Sequence, residues 1–321
     1  MLKMSFSGMV KEELSKQQSL SRHCRVAELA AIINTCGRMD ILEDGKKVLR
    51  IQTENEAVAR KCFTLLRKTF NIETVIFIRE NQSMKRGKVY SVEVSEDIWI
   101  QEVLQATKVQ TDGCDGELKI GNALIFQKNC CKRAFIRGAF LSSGSISDPE
   151  KGYHFEIVCA CEAKAQQLQE VINSFGIDAK IVQRKKSYVV YIKEGSQIVD
   201  MLAVMEANVA LMNLENIRIL KEVRNTVNRK FNCEMANINK TVSAAIKQRE
   251  DIELIGRTVG FESLNEGLAQ VAELRLQYPE ASLKELGMML DPQVGKSGVN
   301  HRLKKLSLLA DKLRENEEEL L

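Results

Sequence analysis

The stretch Cys131–Ser145 repeats the pattern of the earlier stretch Cys24–Gly37, and a repeated core helix leaves few folds open. Each copy carries an apolar helical stripe: Leu29, Ile32 and Ile33 in one, Phe135, Ile136 and Phe140 in the other. Small residues, Ala30 and Ala31 against Gly138 and Ala139, stand where a second backbone can come close. A helix with both features is shaped to pair with its own copy. Each copy ends at a glycine, Gly37 or Gly144, which reads as the left-handed residue that stops a helix.

The surrounding elements recur in the same order. A leading helix is expected over 4–16, with Ser7 as its cap. After Gly37 the pattern predicts a hairpin from 38–42 and 47–53 around the turn 43–45, then a helix over 55–70, strands 74–79 and 88–94, and a helix over 98–106. After Gly144 come a turn at 148–152, a strand over 153–160, a helix over 162–175, strands 179–183 and 188–192, and a helix over 197–205. The joint Thr69-Phe70-Asn71-Ile72-Glu73 has its match in Ser174-Phe175-Gly176-Ile177-Asp178. A period of roughly 100 residues is too long for a solenoid and fits a duplicated αββαββα unit. The fold class expected is therefore α+β, with one pseudo-symmetric domain over 21–212, its halves about 21–107 and 129–212, preceded by a helix within 1–20. The joint between the copies, 107–128, reads as loops.

From Asn213 the strand signal disappears. Helices over 216–228 and about 241–255 form a connector, 213–255, and an all-α domain follows over 256–321. Within it 265–278 is a helix, and Ser282 and Glu285 have the spacing of a capping box opening another to Leu290. Pro292 bars its continuation, and Ser297 starts a second helix with Val299, Leu303, Leu306 and Leu309 facing inward. Two short helices joined by a tight glycine-containing turn make a helix-turn-helix, about 281–314.

At 321 residues, with 44% apolar and 28% charged side chains, the composition is that of a globular protein of two or three domains. No apolar run approaches the roughly 20 residues of a membrane span, and no signal-peptide core follows the first methionine, so a cytoplasmic protein without membrane association is expected. The nine cysteines and three histidines, His23, His154 and His301, show no zinc-ribbon spacing, so thiols are expected to be reduced and mostly buried. No catalytic residue, metal or cofactor is assigned.

The net charge of +4 decides little by itself; its distribution says more. From Arg218 to Arg249 eight lysines and arginines face two glutamates. Arg218, Lys221, Arg224, Arg229 and Lys230 are candidates for salt-sensitive phosphate contacts. On the second helix of the helix-turn-helix, Ser297, Asn300, His301, Lys304 and Lys305 occupy the face left once the apolar residues turn inward. Asn300 suits adenine and Lys304 guanine in a major groove, while Lys296, Arg302 and Lys305 suit phosphates. Gly295 and Gly298 would admit a phosphate to the backbone amides at the helix start. Ser282 and Lys284 on the first helix complete the candidate contacts.

The two core helices resemble the LAGLIDADG motif of homing endonucleases, in Leu29–Gly37 and Ile136–Gly144. In that family an acid just before each final glycine brings magnesium to the scissile phosphates. Here those positions are Cys36 and Ser143, neither of which supplies the hard anionic oxygen that magnesium favours. Asp40 and Asp148, a few residues on, read as strand-start and turn residues. The resemblance thus implies a DNA-binding saddle without nuclease activity.

Over nearly its whole length the chain resembles the bacterial WhiA family. The residues that carry this are Val10–Leu14, Arg133–Leu141 with Gly144–Pro149, Asn228–Cys233, and Val294–Leu303. The resemblance implies a non-enzymatic DNA-binding protein of Gram-positive bacteria, associated with the nucleoid. In some lineages it acts as a transcription regulator of sporulation, in others in cell division and chromosome segregation, with sequence-specific binding resting on the terminal module. The partners implied are double-stranded DNA and other transcription or cell-division proteins. Two readings stand beside it: an interaction platform that DNA binding delivers to the chromosome, and a residual metal-dependent nuclease. A single helix-turn-helix binds weakly alone, so dimerisation or the first domain is expected to assist it.

Overall fold

The computed structural model describes residues 4–43, 45–81, 87–112, 117–121 and 123–318, in two units, Met1–Glu222 and Val223–Leu321. The first is the duplicated one. Its first copy runs α1 (Phe6–Lys16), α2 (Arg22–Cys36), β1 (Gly37–Ile41), β2 (Lys47–Thr53), α3 (Glu56–Phe70), β3 (Val75–Asn81), β4 (Gly87–Val94) and α4 (Asp97–Thr107). A hairpin, β5 (Val109–Asp112) and β6 (Glu117–Ile120), leads into the second copy. That copy runs α5 (Asn129–Ser143), β7 (Gly144–Ile146), β8 (Phe155–Cys159), α6 (Glu162–Asn173), β9 (Lys180–Arg184), β10 (Ser187–Ile192) and α7 (Gly195–Met205).

The duplication extends to the strand register. All pairings are antiparallel, and the row Gly37, Ile51, Val92, Ile76 across the first sheet matches Gly144, Ile157, Val190, Ile181 across the second. The same turns take left-handed backbone in both copies: Asn71 and Gly176 at one joint, Lys108 and Glu206 at the ends of α4 and α7. Asparagine and glycine are the residues that tolerate that conformation at least cost, which accounts for the first pair.

The central helices α2 and α5 pack against each other and share one apolar core with both sheets. Gly138 is the notch at their crossing: a Cβ there would lie 2.4 Å from the Glu28 carbonyl oxygen and 2.9 Å from the Ala31 Cβ. Beside it Arg137, 2% exposed, forks onto the fully buried Glu28 at 3.1 and 3.2 Å. The guanidinium also donates to Gln17 Oε1, Ser19 Oγ and Glu206 Oε2, and Lys61 pairs with Glu28 at 3.1 Å. Charges this deeply buried are tolerated only when paired and hydrogen-bonded, so the network ties α2, α3 and α5 to the segment after α1.

Several expectations are corrected. Gly37 and Gly144 are extended, not left-handed, at φ −85° and −79°. They are glycines for want of room: a Cβ would lie 2.4 Å from the Ile33 carbonyl oxygen at Gly37, and 2.3 Å from the Phe140 ring at Gly144. The cap of α1 is Ser5, whose Oγ accepts from the Gly8 amide, while the Ser7 hydroxyl accepts from the Ile146 amide of β7. The joint between the copies is not all loop, because β6 pairs with β1 and extends the first sheet to six strands, ordered β3-β4-β2-β1-β6-β5. The second sheet keeps the basic four, β7-β8-β10-β9. Asp44 of the 43–45 turn and residues 113–116 of the joint lie outside the described residues.

The two connector helices expected from the sequence are one, α8 (Asn208–Thr258). Between Asn208 and Ile255 there is neither glycine nor proline, so nothing breaks the i to i−4 ladder. The boundary between the units falls within this helix. The second unit continues with α9 (Glu266–Gln277), α10 (Leu283–Met289) and α11 (Lys296–Glu318). Its own core joins Ile252 and Ile255 of α8 to Val271 and Ala272 of α9, Leu286 and Leu290 near α10, and Val299, Leu303, Leu306 and Ala310 of α11.

Candidate nucleic-acid interface

The pair α10–α11 is assembled by local chemistry. Ser282 caps α10 reciprocally with Glu285: the Glu285 amide donates to Ser282 Oγ at 3.3 Å, and the Ser282 amide donates to the Glu285 carboxylate at 2.7 Å. Those bonds hold the Glu285 carboxyl below its ordinary range. The chain then folds back so tightly that the Val294 amide donates to the Gly287 carbonyl at 3.0 Å. A Cβ on Gly287 would lie 2.0 Å from the Val294 oxygen, so glycine is required for this turn.

With Val299, Leu303, Leu306 and Ala310 of α11 directed into the core, its outer face is set. Lys296, Ser297, His301, Lys304 and Lys305 are exposed, and Asn300 is half-buried at the edge of that face. Arg302 is on the other flank, turned onto α9, where its Nη1 donates to the Gly267 carbonyl at 3.2 Å. Gly295 has open space where a Cβ would be, whereas Gly298 closes on Val294, whose Cγ1 would lie 2.3 Å from an added Cβ.

A groove of about 1020 Å³ runs between residues 240–249 of α8 and the starts of α10 and α11. Lys240 and Arg249 line one side, Ser282 and Lys284 another, and Lys296 and Asn300 a third. Four exposed cations line it from three helices, with Arg249 also paired to Glu253 at 3.4 Å, and the buried Arg275 of α9 adds a fifth that bonds Gln248 and the Ala281 carbonyl. In the sequence Lys240 and Arg249 belong only to a basic stretch; that they share a groove with Lys296 depends on how α8 packs on the helix-turn-helix.

The candidate phosphate contacts further up α8 are of two kinds. Arg218 is paired with Glu215 at 2.8 Å, and Lys221 donates to the Pro149 carbonyl at 2.6 Å beneath the Tyr153 ring. Both have structural work within the first unit. Arg224, Arg229 and Lys230 are exposed.

At the ends of the two central helices, Cys36 is half-buried and Ser143 donates its hydroxyl proton to the Val158 carbonyl at 2.7 Å. Burial pushes the Cys36 thiol up, against opposing effects of Ser142 and Lys11. The Lys11 side chain, whose pKa burial lowers, lines the same pocket as Cys36 and Ser142. Asp40 is in β1, paired with Arg50 and Arg38, and Asp148 caps its turn by accepting from the Glu150 amide at 3.0 Å. On the sheets Arg50 lies between Asp40 and Glu93, and Glu156 between His154 and Arg184. Among the described residues no helix is long and apolar enough to cross a membrane.

Three family models match the chain: a WhiA N-terminal LAGLIDADG-like domain over residues 22–110, a WhiA LAGLIDADG-like domain over 132–224, and a WhiA C-terminal HTH domain over 227–310. A relative from Lachnoclostridium phytofermentans, named probable cell division protein WhiA, is 57% identical over 97% of this chain and 100% of its own length. The crystal structure of full-length WhiA from Thermatoga maritima matches with 26% identity and a TM-score of 0.57, over 96% of this chain and 98% of that one. The structure of an N-terminal LAGLIDADG domain of WhiA shares the fold at 21% identity and a TM-score of 0.50, over 64% of this chain and 91% of that one.

Proposed function

The chain belongs to the WhiA family, and from that premise we propose that it is a non-enzymatic, sequence-specific DNA-binding protein that regulates transcription in the service of cell division. Chromosome segregation and, in a spore former, sporulation are its further expected settings. It works in the cytoplasm on the nucleoid. The observation that carries the reading is the groove beside α11, which Lys240, Arg249, Lys284, Lys296 and Asn300 all line. Phosphates neutralised by those cations would fix the register of a duplex, and Asn300, His301 and Lys304 would then read base edges. Ser282, Ser297, Gly298, Arg302 and Lys305 serve as supporting contacts, with Arg302 placed chiefly to position α11 against α9. Arg218, Lys221, Arg224, Arg229 and Lys230 supply or position the charge that makes binding sensitive to salt.

Residues 213–255 act in this reading as the connector between a duplicated domain, 21–212, and a DNA-reading domain, 256–321. Loss of the nuclease chemistry is supported by Cys36 and Ser143 at the helix ends and by Lys11, which lines the same pocket as Cys36. The test is selection from a pool of random duplexes at two salt concentrations. An enriched motif that is lost on deleting residues 281–321 supports the proposal; retention without any motif, steeply lost with salt, overturns sequence-specific reading. Magnesium-dependent nicking of plasmid, abolished by Asp148→Ala, would overturn the non-enzymatic part.

One observation favours a role in contacting other proteins as well. Val227, Phe231, Met235 and Ile238 form an exposed apolar row on one face of α8, and Val242 and Ile246 continue it into the groove. Full function retained by a chain truncated after Lys240 would make that role the primary one.

A further inference from the structure

We propose that His23, Cys24, Cys130 and Cys131 form a structural zinc site that clips together the two halves of the duplicated unit. The placement follows from the pseudo-symmetry. His23 and Cys24 are the second and third residues of α2, and Cys130 and Cys131 are the second and third residues of α5. Where two equivalent helices cross about a pseudo-dyad, equivalent positions meet, so a His-Cys pair from one copy faces a Cys-Cys pair from the other.

The four ligand atoms, one imidazole nitrogen and three sulfurs, all lie within 4.8 Å of one another. His23 Nδ1 is 3.2 Å from Cys131 Sγ and 3.3 Å from Cys24 Sγ. A tetrahedral zinc with ordinary bonds to sulfur and nitrogen sets its ligand atoms about 3.5–3.8 Å apart, so side-chain adjustments below about 1 Å would close the site. Three thiolates and one imidazole are an established donor set for closed, structural zinc. The soft sulfurs select against magnesium and calcium.

Simple packing does not account for the cluster. Cys62, fully enclosed in the same core, is what a packing cysteine looks like. Here Cys24 and Cys131 are buried while His23 and Cys130 reach the surface, which leaves two ligands on the inside and an entry path on the outside. Zinc with three thiolates carries a net charge of −1, and the cationic Lys128 stands just ahead of α5, two residues before Cys130. Binding displaces three thiol protons to solvent. The imidazole coordinates neutral through Nδ1.

Such a clip joins residues 107 apart in sequence at the ends of helices whose crossing defines the domain, and closing so long a loop restricts the unfolded chain most. The adjacent spacing conceals the site from any search for paired cysteines along the chain. Each half contributes only two ligands, and neither half could hold zinc alone.

The test uses the full-length chain, purified under reducing conditions, exposed to zinc and desalted. The expected result is about one zinc per chain, and on cobalt substitution the visible bands of tetrahedral cobalt with a thiolate-to-cobalt charge-transfer band. Cys130→Ser and His23→Ala alter surface-reaching ligands and should retain the fold; each is expected to lower zinc occupancy at least about tenfold under the same wash, with Cys233→Ser unchanged. Removing zinc with a chelator should lower the unfolding midpoint of the wild-type chain by about 5 °C or more, and leave Cys130→Ser unmoved. Zinc below about a tenth of an equivalent in a folded wild-type chain, equal occupancy in Cys130→Ser, or a disulfide among Cys24, Cys130 and Cys131 in anaerobically isolated protein would each overturn the proposal.

Discussion

Lys304 and Arg224 are both exposed cations, yet they are placed for different work. Lys304 is on the outer face of α11, next to His301 and one turn from Asn300, where a side chain would reach base edges. Arg224 is on a bare stretch of α8 with no helix-turn-helix beside it in sequence. Lys304→Ala is expected to relax preference at one base position, at a cost of about 1–3 kcal/mol on the preferred site and little on random duplex. Arg224→Ala should weaken specific and random duplexes alike and reduce the salt slope of binding by about 1. Titration of both variants against both duplexes at several salt concentrations separates the two, and equal losses on both duplexes for both variants would refute the division of labour.

At the scale of the element, α10 shows how a short helix is held by its first turn. Seven residues are too few to be stable alone, so the reciprocal bonds between Ser282 and Glu285 and the packing of Leu286 must both be present. The Glu285 carboxyl is more acidic in the fold than in the unfolded chain, which fixes the sign of the pH dependence. Its contribution is complete above the ordinary glutamate range and is lost as pH falls through the lowered folded value. Amide exchange of α10 should therefore quicken on acidification relative to that of α11. In Glu285→Gln the acid-dependent part should disappear, and an unchanged pH profile in that variant would show that the cap does not respond to pH. Element boundaries themselves were legible wherever a capping side chain marks them, as at Asn55, Asn265 and Ser282. They were not legible where two serines compete: Ser5 caps α1 because Ser7 is drawn to β7, a partner 139 residues away.

In the whole molecule, each unit has its own core, and one glycine in each sits where two helices or a tight turn leave no room for a Cβ. Gly138→Ala should spread α2 from α5 and cost about 2 kcal/mol or more, while Gly287→Ala should open the α10–α11 turn. Hydrogen exchange followed by mass spectrometry should place the first effect in residues 4–222 and the second in 223–318, with loss of sequence-specific DNA binding only in the second. Effects spread evenly over both units by either variant would contradict two separate cores. The repeat, its order of elements and the terminal helix-turn-helix were determined by the sequence alone, because helical and strand periodicities, caps and turn residues are local patterns read within a few positions. Tertiary structure decided the rest: that Gly37 and Gly144 answer a steric need, that Arg137 finds Glu28, that Lys240 and Lys296 line one groove, and that His23 and Cys24 meet Cys130 and Cys131. The physical reason is common to all four. Which distant side chains meet depends on the angle and closeness at which helices cross, and that is set by how whole faces fill the core, not by any residue's neighbours in the chain.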